Sequence, residues 1–234
     1  MRGESLQVSD LDVWRGEAHI LHGVDFDIAP GRVTALLGRN GVGKTTTLLA
    51  VMGLLRAEGS IRFGETELIG MPTHLVARRG IAYVPEDREV FTMLTVAENL
   101  RLAERPGGDH RYDLVYELFP DLAIRKEQTA GTLSGGQQQM LAIGRALLDE
   151  TSLLLVDEPT KGLAPIVIDD VVAALQTASG DTTVLLVEQN LAVARRLASE
   201  AIVLDEGAVV YAGDLETLAS DAALTGRYLG VEVR

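Results

Sequence analysis

Between a run of five apolar or β-branched residues, Val33-Thr34-Ala35-Leu36-Leu37, and a helical pattern over residues 46–55 stands Gly38-Arg39-Asn40-Gly41-Val42-Gly43-Lys44-Thr45. No other segment constrains the fold as much, because the spacing fits GxxxxGK[ST] in the strand-to-helix context that gives the pattern its meaning. Glycines there let successive backbone N–H groups converge on an anion, and the helix that follows adds the positive end of its dipole. A chance glycine-rich turn would lack the strand before it and the helix after it. The implied ligand is the phosphate tail of a nucleotide. Gly38, Arg39, Asn40, Gly41, Val42, Gly43 and Thr46 line the cradle, and Lys44 is placed to meet the β- and γ-phosphates. Thr45 offers a hydroxyl to Mg2+, a hard cation that prefers oxygen ligands. Lysine occurs only three times in 234 residues, which makes the placement of Lys44 more telling.

Short apolar runs alternate with helical patterns along most of the chain, the arrangement of an α/β fold whose parallel sheet is covered by crossover helices. Strands are expected at Val33–Leu37, Ile81–Val84, and residues 153–156, 184–187 and 202–204. The N-terminal stretch alternates instead, with Leu6, Val8, Leu11 and Val13 and then Val24, Phe26 and Ile28, as antiparallel strands with one covered face would. A mixed sheet is therefore predicted. From Asp87 to about Thr132 the strand signals vanish, and Tyr112, Val115, Leu118 and Phe119 recur at helical spacing. The expectation is one domain over residues 1–234, with a helical subdomain inserted at 87–135, entered at Pro85 and punctuated by Pro106-Gly107-Gly108.

Residues 153–156 run into Asp157-Glu158, and open α/β sheets bind ligands at the carboxyl ends of their strands. Such a pair is often only a solvated strand end. Beside a phosphate loop it reads as a metal and water station, with Asp157 holding Mg2+ and Glu158 orienting and deprotonating the attacking water. The net charge of -13 and a pI near 4.7 oppose a broad nucleic-acid-binding surface and disfavour acidic membranes. With no cysteine there are no disulfides or thiolate metal sites. The apolar runs are far shorter than the roughly 18 residues of a membrane span. The N-terminal ten residues lack the basic-then-apolar order of a secretory leader, so a cytosolic location is expected.

Leu133-Ser134-Gly135-Gly136-Gln137 precedes a helical pattern whose Met140, Ile143, Gly144 and Leu147 share one face. Ser134 and Gln137 fit the S-x-x-Q capping box, which could make the segment a helix start and nothing more. The same geometry also presents a serine and amides to an anion, with Gly135 and Gly136 allowing close approach. In this the chain resembles the ABC ATPase family, and the order of phosphate loop, helical insertion, LSGGQ and acidic strand matches along nearly its whole length. The resemblance implies a P-loop NTPase fold of the ABC type. It also implies two ATP sandwiched between the phosphate loop of one subunit and the serine turn of another, so Ser134, Gly135, Gly136 and Gln137 join the site from a second ATPase subunit. The pair could be homomeric or heteromeric.

Three departures from the commonest pattern resemble the branched-chain amino-acid importer group. Glu86, in Tyr83-Val84-Pro85-Glu86-Asp87-Arg88, stands where glutamine is usual and could coordinate the metal through water. Ala164, in Gly162-Leu163-Ala164-Pro165, replaces the usual aspartate. Gln189, in Leu186-Val187-Glu188-Gln189-Asn190, stands where a histidine would contact the γ-phosphate; it either does that as an uncharged donor or merely begins a helix capped by Asn190. The terminal Tyr228-Leu229-Gly230 fits the same group. Urea and amide importers share a similar loop, so the cargo stays open between them. Trp14 stands where the family places an aromatic that stacks on adenine, with packing as the alternative. The four histidines show no metal-ligand spacing.

The resemblance implies separate transmembrane permeases as partners, a periplasmic or extracellular substrate-binding protein indirectly, and a peripheral position on the cytoplasmic face of the membrane. Coupling is expected through Glu86, Val90, Phe91 and Leu94. A DNA-repair ABC ATPase would need coiled-coil arms or a basic surface. A regulatory module that never turns over would have no use for Glu158.

Overall fold

In a computed structural model the chain is described over residues 4–180 and 182–230. Met1–Gly3, the opening of the segment read for a leader, therefore lie outside the described residues. Two sheets organise the molecule. The first is antiparallel, in the order β2-β1-β4-β5, from β1 (Leu6–Arg15), β2 (Ala18–Ile28), β4 (Arg56–Phe63) and β5 (Thr66–Glu67). The second has the order β10-β9-β3-β8-β7-β6. Its strands are β3 (Val33–Leu37), β6 (Ile81–Val84), β7 (Leu153–Asp157), β8 (Thr183–Val187), β9 (Glu200–Asp205) and β10 (Ala208–Asp214). β6, β7, β8, β3 and β9 run parallel, and β10 returns antiparallel to β9. The alternating N-terminal strands thus form a sheet of their own, and the core sheet is mixed through β10.

The apolar strands alternate between two cores because side chains on a strand point to opposite faces. Leu153, Leu155, Leu185 and Val187 pack toward the antiparallel sheet and α1 (Lys44–Val51). Leu154, Val156, Val184 and Leu186 face the opposite side, against a helical layer. That layer contains α3 (Val96–Arg101), α4 (Tyr112–Leu118), α5 (Pro120–Ile124), α6 (Gly135–Leu147) and α7 (Pro165–Ala178). Each fully buried Leu or Val contributes about 1.5–3 kcal/mol relative to exposure, so covering both faces accounts for the continuous apolar runs. α2 (Thr73–Arg78) precedes β6. α8 (Leu191–Leu197), α9 (Leu215–Ser220) and α10 (Ala222–Leu224) complete the C-terminal part, where Ala194, Leu215 and Leu218 cover Leu37 and Val203.

Between β6 and β7 the described residues form short helices joined by turns and loops, with one isolated bridge, Thr95 to Thr129, and no strand. α1 stops at Val51, short of the expected Leu55, because Gly53 takes a left-handed φ of 67° that closes the helix and leaves Leu54 exposed.

Candidate nucleotide site

The loop between β3 and α1 is shaped by two glycines whose positive φ would strain any other residue. At Gly38 (φ 145°) a Cβ would lie 2.4 Å from the Leu204 carbonyl oxygen, and at Gly43 (φ 112°) it would lie 2.4 Å from Leu21 Cδ2. Gly41 also has a positive φ, 85°, but nothing stands within 4 Å of its missing side chain, so it borders open space. Lys44 is buried at the start of α1, and its Nζ donates to the carbonyls of Gly38 (3.0 Å) and Arg39 (3.1 Å). Burial lowers its pKa, opposed by the negative charges of Glu158 and Asp157. Thr46 and Thr47 are buried behind it, with the Thr47 hydroxyl donating to the Gly43 carbonyl at 3.0 Å.

The carboxyl end of β7 delivers the acidic pair to this loop. Asp157 is fully buried. The Tyr83 hydroxyl donates to its Oδ2 at 3.4 Å, while its Oδ1 has no hydrogen-bond partner. Burial raises the Asp157 pKa, and the neighbouring Thr45 hydroxyl pulls it back. A buried carboxylate oxygen without a partner, beside a threonine hydroxyl, is a donor set that fits Mg2+.

Glu158 is the hub of the site. Its backbone takes a φ of 44°, a conformation costing about 1–3 kcal/mol for a residue with a side chain, and its amide donates to the Val187 carbonyl at 2.9 Å. Its Oε1 accepts from Gln189 Nε2 at 2.6 Å and lies 3.6 Å from Lys44 Nζ. Its Oε2 lies 3.3 Å from Lys161 Nζ, which also holds Glu86 Oε1 at 2.5 Å. Gln189 Nε2 reaches the Asn40 side-chain oxygen as well, tying the end of β8 to the phosphate loop. Behind it, buried Glu188 accepts from the Thr160 hydroxyl (2.6 Å) and from the amides of Gln189 (3.2 Å) and Asn190 (3.3 Å). Burial raises its pKa. Asn190 caps α8, its Oδ1 accepting from the Ala192 amide at 3.0 Å.

Asn40, Lys44, Thr45, Asp157, Glu158 and Gln189 are therefore neighbours, with Glu86 joined to them through Lys161. Two predicted parts stand apart. Ser134 is exposed at the N-terminus of α6 and makes both capping-box bonds with Gln137, whose Nε2 also donates to Asp121 Oδ2 at 2.9 Å. Cβ atoms on Gly135 and Gly136 would press on Arg88 and Val167 at 3.0 and 2.5 Å. Among the described residues no hydrogen bond or ion pair joins residues 134–137 to the phosphate loop. Trp14 also stands outside the hub, stacked on His19 with ring centroids 4.5 Å apart and with the Arg56 guanidinium 4.9 Å from its ring.

Sequence reasoning missed Lys161. The only available signal was its position three residues beyond Glu158, where a tight turn folds it back. Tyr83 and Glu188 lie inside the motifs, but spacing alone gives them no role; their contacts with Asp157 and Thr160 come from the fold.

Asp157→Asn is expected to raise the melting temperature of the nucleotide-free chain. The sign follows from the raised carboxyl pKa. The folded state holds the proton more tightly than the unfolded one, so ionised Asp157 opposes folding at neutral pH, and that burden lifts as pH falls through its folded pKa. Thermal denaturation with and without MgATP checks it: the variant should start higher and gain less from MgATP, whereas a lower starting temperature would contradict the reading.

A glycine-shaped loop between a strand and a helix, a buried acidic strand end and a glutamate held by Gln189 and Lys161 are the arrangement of a P-loop cassette. The model of the ABC transporter family matches residues 21–161. The high-affinity branched-chain amino acid transport ATP-binding protein BraG of Pseudomonas aeruginosa is 42% identical, over 96% of this chain and 99% of its own. The probable branched-chain amino acid transport ATP-binding protein LivF of Archaeoglobus fulgidus is 36% identical, over 91% of this chain and 93% of its own. Among solved structures, an ATP-binding subunit of an ABC transporter superposes with a TM-score of 0.81 at 30% identity, covering 96% of both chains. A nucleotide-free ATP-binding cassette gives 0.84 at 23% identity over 99% of both, a likeness of fold. The chain belongs to the ABC transporter family, and its reaction is ATP hydrolysis. Among the described residues no helix is long and apolar enough to cross a membrane.

Proposed function

We propose that this chain is the ATPase subunit of an importer for branched-chain amino acids, bound peripherally at the cytoplasmic face of the membrane to separate permease subunits. The observation that carries the cargo is the 42% identity to BraG across essentially the full length of both chains. The importer-type features Glu86, Ala164 and Gln189 accompany it. In this reading residues 87–135 form the helical subdomain that faces the permeases. Phe91 is 47% exposed and Met93 88% exposed there, and the Phe91 backbone is pinned on both sides by the Asn99 side chain at 2.9 and 3.0 Å, so an apolar contact is held in a fixed position.

Lys44 and the amides of residues 38–45 bind the triphosphate and hold it in place. Thr45 and Asp157 would hold Mg2+, with Glu86 acting through water. When bound, the ion neutralises phosphate charge. Glu158 accepts the proton of the attacking water, and the donors Gln189 and Lys161 fix the direction of its carboxylate. Gln189, an uncharged donor whose two Nε2 protons serve Glu158 and Asn40, would release the Asn40 oxygen to donate to the γ-phosphate. Trp14 is the candidate platform for adenine, which would require His19 to share or yield its face. Ser134, exposed and already capped, would close over the γ-phosphate bound to a second ATPase subunit, with Gly135, Gly136 and Gln137 supplying close approach and amides.

Uptake of radiolabelled leucine, isoleucine and valine by cells lacking this gene tests the cargo. Loss of uptake, restored by the wild-type chain and not by Glu158→Gln, with urea uptake unchanged, is the expected result. Intact leucine uptake, or a selective loss of urea or amide uptake, would overturn it.

A further inference from the structure

On a regular strand His19 and His22 would point to opposite faces, since side chains alternate with a period of two. β2 is not regular. Its pairing with β1 runs Trp14 to His19, Val13 to Leu21 and Leu11 to Val24, so β2 carries an extra residue at Ile20 and another before Val24. Such bulges re-aim side chains. Here they bring both imidazoles together on the exposed side, with His22 Nδ1 3.2 Å from His19 Nδ1 and the rings crossed at 74°. Asp12 on β1 lies alongside, its Oδ1 2.7 Å from His19 Nε2 and accepting from the Gly23 amide at 3.3 Å. The His22 backbone is fixed by donation to the Gly207 carbonyl at 2.9 Å, and the His19 ring is fixed by its stack on Trp14.

We infer that His19 and His22 form a binding site for a borderline divalent transition metal of the Zn2+ or Ni2+ class, oriented by Asp12. Two imidazole nitrogens on one tetrahedral ion, each about 2.0–2.1 Å from it, stand about 3.3 Å apart, so the nitrogen spacing suits a shared ion. The His22 ring, its centroid 4.2 Å from that of His19, turns outward to aim its lone pair at the ion. Asp12 accepts the His19 Nε2 proton, which fixes the tautomer that turns the Nδ1 lone pair toward His22. This is the carboxylate–histidine arrangement found behind metal ligands. On metal binding His22 carries its proton on Nε2, leaving its Nδ1 lone pair for the ion. Two imidazoles without thiolate select this metal class over Mg2+ or Ca2+, which prefer oxygen ligands. Solvent fills the remaining positions. The site uses no residue of the phosphate loop or the acidic pair.

Trp14 is the only tryptophan in the chain and touches His19, so its fluorescence reports the site directly. The full chain without a histidine tag would be titrated with Ni2+ in millimolar Mg2+, which occupies oxygen sites. The expected result is saturable quenching at one Ni2+ per chain, reversed by a chelator. His22→Ala should lose it and Asp12→Asn should weaken binding by about 10- to 100-fold. His74→Ala, altering an exposed histidine on α2, should behave as wild type. Circular dichroism and MgATP binding confirm that His22→Ala is folded. Quenching that is absent from wild type, never saturates, or persists unchanged in folded His22→Ala would overturn the assignment.

Discussion

Glu158→Gln is expected to lower the turnover number for ATP hydrolysis by about 100- to 10,000-fold, the usual contribution of a general base, while ATP binds as before. The amide keeps the shape of the side chain and loses its basicity. Its one remaining oxygen can accept from Gln189 or from Lys161 but not from both, and the turn at φ 44° keeps its backbone anchor, the Glu158 amide donating to the Val187 carbonyl at 2.9 Å. Lys44 is held independently by two loop carbonyls, which is why the phosphate cradle should survive the exchange. Single-turnover phosphate release together with calorimetric ATP binding separates the two effects. Turnover within a few-fold of wild type would remove Glu158 from that role.

Lys44→Ala acts on the other half of the site and should weaken ATP binding rather than slow a bound complex. Truncating one member of a buried charged contact costs about 2–5 kcal/mol, which corresponds to an affinity loss of roughly 30-fold or more. Burial already works against the Lys44 charge in the nucleotide-free chain, so its removal should disturb folding far less than binding. Calorimetry with MgATP and a melting curve without it make the comparison. Unchanged affinity would count against the loop assignment, and a collapse in melting temperature would mark Lys44 as a structural residue.

The buried parallel strands were legible because covering both faces leaves nothing but apolar residues to read. β3 and β6 fall on the expected residues, β7 and β8 extend the expected runs by one residue each, and β9 by two residues before and one after. β4 and β10 left no comparable signal, since Arg56–Phe63 buries only Ile61 and Phe63, and β10 is an edge strand with little buried apolar surface. In the site, motifs disclosed which residues carry chemistry but not how they are wired. Lys161 bridges Glu86 and Glu158 across 75 and three positions, and no local pattern predicts the longer link. His19 and His22 have the wrong parity for a shared ligand on a regular strand, and only the bulges in β2 bring them to one side. The stack of His19 on Trp14 was equally hidden, because it depends on that same register.

The most direct test of the central claim is a crystal structure of Glu158→Gln grown with Mg2+ and ATP. The account predicts phosphate oxygens enclosed by the backbone amides of residues 38–45, Lys44 Nζ in contact with them, and a serine turn such as Ser134 of an adjoining subunit across the terminal phosphate. A triphosphate seated away from Lys44, or a bound γ-phosphate with no subunit facing it, would contradict the account.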